Sequence, residues 1–183
     1  MNCYGNVIMK YFMNSIKKGL VIMKKNRLYC PIVIVACLGF TFIGATTTAA
    51  DADDLTLPLN FNPGPEYADE NREFQGIPSI ARAPGGRLWA TWYGGGKGEG
   101  PENYIMLATS GNDGQKWSDL KLVVDPPYRA SEPGAWVDPQ GRLWLMCNLY
   151  PNGLCGGGSM LWTIVTENPD EENPTWSEPR LLT

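Results

Sequence analysis

The chain predicts an all-β fold built from repeated four-stranded sheets, and three observations predict it. First, "IPSIARAPGGRLWATW" from Ile77 and "EPGAWVDPQGRLWLMC" from Glu132 superpose at an offset of 55, with Pro78 on Pro133, Pro84 on Pro139, Gly86 on Gly141 and RLW on RLW. Self-similarity at a fixed period of this size marks a repeat architecture. Second, short runs rich in β-branched and aromatic residues are divided by Gly, Pro, Asn and Asp. Third, amphipathic helical periodicity is hard to find beyond the first 52 residues.

In chain order, the amino end reads as a leader. From Met23 the sequence "MKKNRLYCPIVIVACLGFTFIGATTTAADA" has a positive start, an apolar run from Leu28 to about Ala45 and then small residues. That pattern predicts a secretory signal cleaved after Ala50 or Ala52, and hence an exported protein. A membrane anchor is the rival, but the run is short for a span and contains Pro31. "IVAC" ending at Cys37 loosely resembles a lipobox, although apolar residues continue past it. The residues before Met23, with methionines at 1, 9 and 13, read as an over-extended start. Residues 1–52 are thus start and signal, and 53–73 are a linker.

The first repeat unit predicts strands at about Gly76–Ala83, Arg87–Tyr93, Tyr104–Ser110 and Lys116–Val124. "APGG" and "DPQG" supply tight turns, Pro setting φ and Gly accepting positive φ. In the second unit "MLWTIV" from Met160 follows "IMLATS" from Ile105, and "WSEPRL" from Trp176 follows "WSDLKL" from Trp117. The turn between those two strands becomes the longer "TENPDEENPT". One four-stranded sheet cannot bury both faces until neighbours pack on it, so the repeat predicts blades of a β-propeller. Trp89, Trp136, Trp144, Trp162 and Trp176 are expected to fill the spaces between sheets.

"SGNDGQKW", Ser110 to Trp117, looks at first like part of a calcium loop, but aligning Gly114 on the EF-hand glycine puts Leu120 where a bidentate Glu belongs. The stretch instead fits SxNxGxxW and resembles the Asp-box, or bacterial neuraminidase repeat, usually SxDxGxxW. Ser110, Asn112, Gly114 and Trp117 then have a structural role, capping a turn and packing a ring over it. With the repeated GRLW, the WSxxxL endings, the "IPSIA" start and the export signal, the chain resembles the sialidase-like propeller family over about Phe74 to Leu182. The resemblance implies a six-bladed ring. This chain would hold two blades, about 74–127 and 128–183, the remaining blades lying downstream.

Alternating strand direction sorts the loops onto two rims. One gathers "DENREF", "GGGKGEGPEN", "YRASEP" and "PNGLCGGG", and in the sialidase family that rim carries the active site. Glu99 falls near the position of the family's aspartate acid or base, a carboxyl group that protonates the leaving oxygen. A P-loop is excluded, because GxxxxGK[ST] is absent. Sialidases grip the substrate carboxylate with three arginines, whose forks bind it bidentately. The first of these precedes "IP", where this chain has Gly76. Arg72 and Arg129 lie on the same rim as candidate ligand contacts, as do Glu102 and Glu132. Trp92 and Tyr93, at a strand end beside the glycine loop, pack in the core or stack on a sugar ring. The family's tyrosine nucleophile would lie beyond Thr183.

Composition narrows the chemistry. Of 15 Lys and Arg and 19 acidic residues, the first 52 positions hold 6 and 1, so the remaining 131 carry 9 basic and 18 acidic residues, a net charge of about −9. Such a surface repels phosphate backbones and argues against nucleic-acid binding. Histidine is absent, which removes imidazole acids and bases, the Ser-His-Asp triad and His-ligated zinc. No metal or other cofactor is called for. Cleavage would leave Cys147 and Cys155, either bridged or as two thiols. The expected function is an exported sialidase-like glycoside hydrolase acting on acidic or complex glycans. The alternatives are a non-catalytic propeller that binds glycan or protein, and a polysaccharide lyase, for which a His-free region offers a poor base.

Overall fold

The computed structural model describes residues 56–151, 153 and 158–182. The predicted leader, Cys37 and Cys155 lie outside them. The described chain is all-β, in two antiparallel sheets. The first contains β1 (Leu59–Asn60), β2 (Phe74–Arg82), β3 (Leu88–Gly95), β4 (Tyr104–Ser110) and β5 (Leu122–Val124), in the spatial order β1-β5-β4-β3-β2. The second contains β6 (Arg129–Val137), β7 (Leu143–Tyr150), β8 (Met160–Thr166) and β9 (Arg180–Leu181), in sequence order.

The repeat is visible in the backbone. Gly86 N–H donates to the Ala83 carbonyl and Gly141 N–H to the Asp138 carbonyl, both at 2.9 Å, closing equivalent hairpin turns. The first strand of each repeat unit, β2 or β6, slips register at the same place, between Gly76 and Ser79 and between Ser131 and Gly134. At each slip the residue before proline, Ile77 or Glu132, has positive φ. Such bulges bend a strand and re-aim its side chains.

The last strand of each unit is much shorter than its sequence predicts. β5 begins at Leu122 rather than Lys116, because Trp117–Lys121 bow away from the ladder and Ser118 stitches the gap. The Ser118 hydroxyl oxygen accepts from Thr109 N–H at 3.1 Å, while Ser118 N–H donates to the Thr109 carbonyl at 2.8 Å. Ser177 repeats both bonds with Val165, at 3.0 and 2.8 Å. The serine of each "WS" therefore closes a bulge.

The main core lies between the two sheets. Trp89, Tyr93, Ile105, Leu107 and Val124 of the first meet Leu143, Leu145, Cys147, Leu149 and Ile164 of the second. Every second residue of β7 is buried, as the pleat requires for a sheet with one covered face. Residues 56–73, predicted as a linker, supply β1 and two single-turn 3-10 helices, Pro65–Tyr67 and Asp69–Asn71. Tyr67 packs edge-on against Tyr104 with ring centroids 5.0 Å apart, covering part of the first sheet's other face beside Met106, Val123 and Trp92.

The tryptophans divide. Trp89 is fully buried and meets Trp176 edge-on at 5.9 Å, and Trp162 packs against the same core. Trp136 is 50% exposed. It pairs with Trp144 at 6.3 Å on the face of the second sheet that points away from the first. Cys147 is buried with no disulfide partner among the described residues, and desolvation pushes its thiol pKa up to about 12.

Candidate functional site

Among the described residues, the predicted loops fall at two opposite rims; most of the loop 151–158 lies outside those residues. At one, the polar turn folds on itself. Ser110 Oγ accepts from Gly114 N–H at 3.0 Å, and Asn112 Oδ1 accepts from Lys116 N–H at 2.8 Å and from the Ser110 hydroxyl at 3.0 Å. Asp113 pairs with Arg82, and Trp117 lies over Gly114. Apart from the Asp113–Arg82 pair, which ties the turn to the end of β2, these contacts are internal to the turn. Beside it, "TENPDEENPT" clamps the sheets together: Pro169 carbonyl accepts from Trp89 Nε1 at 2.7 Å, and Asp170 Oδ2 accepts from Gly85 N–H at 2.7 Å.

At the other rim, Tyr93 stands at the end of β3 facing the second sheet, and Arg129 opens β6. Strand alternation sends Trp92 to the opposite face. There its indole N–H donates to Gln75 Oε1 at 2.7 Å, and Arg72 lies over its ring at 5.9 Å. The Arg72 side chain is 8% exposed, paired to Asp69 at 3.0 Å and bonded to Gln75 at 3.2 Å. Arg72 and Trp92 thus belong to the packing of the amino-terminal segment, and the first sheet separates them from Tyr93 and Arg129.

The remaining candidates do converge. The Arg129 guanidinium sits between two rings, 5.9 Å from Tyr93 and 5.1 Å from Tyr150, which is its cross-strand partner. Its Nη2 donates to Glu99 Oε2 at 3.2 Å, and Tyr93 hydroxyl donates to Glu99 Oε1 at 2.9 Å. Tyr150 hydroxyl donates to Glu132. The result is a line of alternating groups, Glu99–Tyr93–Arg129–Tyr150–Glu132, running across the junction of the sheets. Arg129 Nε and Ser131 Oγ are buried there without a hydrogen-bond partner among the described residues.

Desolvation, then the Glu99 hydrogen bond, pushes the Tyr93 hydroxyl up to about 12 against the pull of Arg129. Desolvation and Glu132 raise Tyr150 as well. In this geometry both hydroxyls donate to carboxyl groups, Tyr93 to Glu99 and Tyr150 to Glu132.

The glycine loop is organised by Asn103, a fully buried residue that the sequence reading passes over. Its Oδ1 accepts from Gly100 N–H at 2.8 Å, its Nδ2 donates to the Gly98 carbonyl at 3.0 Å, and its carbonyl accepts from Ala130 N–H at 2.9 Å. Gly95 has φ +143°, and a side chain there would collide with the Glu102 carbonyl oxygen. Glu102 itself is exposed on the loop and lines, with Glu73, Lys97 and Glu99, an open pocket of about 360 Å³. Tyr150 was also missed. The repeat offers a signal, since Gly95 and Tyr150 are equivalent at the offset of 55, and the second sheet has a ring where the first has none.

Gly76 is packed under Tyr93. A Cβ there would lie 3.1 Å from both Cζ and the hydroxyl oxygen of that ring. No protein-family model matches this chain, and a search of curated proteins finds no match either.

Proposed function

We propose that the two sheets are adjacent blades of a sialidase-like propeller and that the protein is an exported glycoside hydrolase acting on complex glycans. The observation that carries this reading is the convergence of Glu99, Tyr93, Arg129, Tyr150 and Glu132 at one rim of the blade junction, beside an open pocket. Carboxylates held by tyrosine hydroxyls, with a guanidinium between them, suit recognition of polyhydroxylated ligands. Glu99, with its side chain 52% exposed, is the carboxylate placed to exchange a proton with a glycosidic oxygen. The ring requires further blades, and the open face of the second sheet, with Trp136 and Trp144, is where the next would dock.

Glu99→Gln in the protein carrying its complete ring should lower turnover of a glycoside with a poor leaving group by about 100-fold or more, the usual worth of general acid–base catalysis. Thermal stability should fall, because Gln keeps an acceptor for Tyr93 and Arg129 but removes the countercharge of the buried guanidinium, and the melting temperature of the variant separates that loss from the loss of turnover. Activity within twofold would end the assignment.

One observation favours a second reading, a propeller that binds glycan without cleaving it. The close fit of Tyr93 over Gly76 leaves no room for an arginine unless the ring moves. Saturable glycan binding with no turnover of any member of a glycoside panel would establish that reading instead.

A further inference from the structure

We infer that this rim accepts an uncharged, hydroxyl-rich sugar end and rejects carboxylated glycans, an inference that rests on the glycan-active reading above. The pocket beside the cluster is walled by the carboxylates of Glu73, Glu99 and Glu102 against the single ammonium of Lys97. An anionic sugar would enter a field of its own sign, and like-charge juxtaposition is an effective way to exclude a ligand.

The guanidinium that reaches this wall is already engaged. Arg129, its side chain 7% exposed, directs Nη2 to Glu99 at 3.2 Å, while Nε is enclosed without a partner among the described residues. A fork grips a carboxylate through two parallel N–H bonds, and here the protein's own carboxylate holds one arm. A ligand carboxylate, which only accepts, would compete with Glu99 for that arm and add a further negative charge. A sugar hydroxyl both donates and accepts. It can donate to the spare lone pairs of the pocket carboxylates, Glu99 among them, without adding charge. The neighbouring strand supplies no second cation, because Tyr93 occupies the space above Gly76.

The test compares carboxylated glycans with their own methyl esters, which keep the shape and remove the charge, as ligands for the intact protein. The esters should bind at least about 10-fold more tightly at low ionic strength, and the gap should narrow in 0.5 M salt, as screening of surface charge requires (about 10 Å Debye length at 0.1 M). In the double variant Glu73→Gln, Glu102→Gln the ester-to-acid ratio should fall below about threefold, since two of the three repelling charges are gone. Acids that bind as tightly as esters, or a gap that persists in the double variant, overturn the inference and leave the glycan-active reading standing. Failure of every glycan, charged or not, to bind overturns both.

Discussion

Gly114 and Asp138 show two ways in which one residue holds a turn. Gly114 has φ +79°, and a Cβ there would meet nothing closer than Leu88 Cδ1 at 3.7 Å. The obstacle to substitution is therefore backbone conformation rather than space. Gly114→Val should cost about 1–2 kcal/mol or more, since a β-branched residue is poorly suited to the left-handed region. Gly114→Asn should be much milder, because asparagine visits that region. Thermal unfolding of the two variants checks this, and equal melting temperatures would refute it. Asp138 works through charge. Its buried carboxylate accepts from Gln140 N–H, Arg142 N–H, Arg142 Nε and Trp144 Nε1 at 2.7 to 3.0 Å. Desolvation raises its pKa, but the bonds from Trp144 and Arg142 outweigh this and lower it from 3.8 to about 2. A depressed carboxyl pKa gives stability that is present above the unfolded value and disappears as pH falls through the folded one. The melting-temperature advantage of wild type over Asp138→Asn should hold at pH 5 and shrink between about pH 4 and pH 2. An advantage independent of pH would contradict the assignment.

At the scale of elements, the segment between β8 and β9 is the part whose sequence was least informative. The second unit lacks the polar turn of the first, and from sequence its replacement reads only as a longer loop. In the structure it is the connector between sheets. Asp170 caps Gly85 N–H, its carbonyl accepts from Arg87 Nε at 2.9 Å, and Lys121 reaches Glu172 at 2.9 Å and Asn173 at 2.8 Å. Asp170→Ala should cost about 1 kcal/mol, the typical net worth of a hydrogen bond. It should also speed amide exchange at Gly85 selectively. Unchanged exchange there would show that the cap does not hold the junction. The exposed Lys121 pair contributes little, as surface ion pairs usually do.

Among the described residues, one outer sheet face is partly covered and the other is open. Tyr67 and its neighbours cover part of the first sheet's outer face, whereas the outer face of the second presents Trp136 and Trp144. Exposed apolar patches of this kind drive association, and a repeat unit needs a neighbour to bury that face. The chain should therefore self-associate with rising concentration, and Trp136→Glu should shift it toward smaller species. Sedimentation velocity decides the matter. A compact monomer at every concentration, with a cooperative melt, would refute the prediction.

The sequence alone determined the all-β class, the paired repeat, the turns and the sorting of loops onto two rims, because each depends on local chemistry or on simple alternation along a strand. Tyr104–Ser110 was legible to the residue, its ends being marked by the glycine loop and the polar turn. The site was legible only in part. Glu99, Arg129, Glu132 and Tyr93 were identifiable as rim residues, but nothing local says that Arg129 lies between Tyr93 and Tyr150 while Arg72 lies behind the sheet with Trp92. Those placements follow from cross-strand register, from the bulges at Ile77 and Glu132 and from the packing of one sheet on the other. Only the tertiary structure decided them, because residues distant in sequence meet there and a one-residue step along a strand reverses the face on which a side chain emerges.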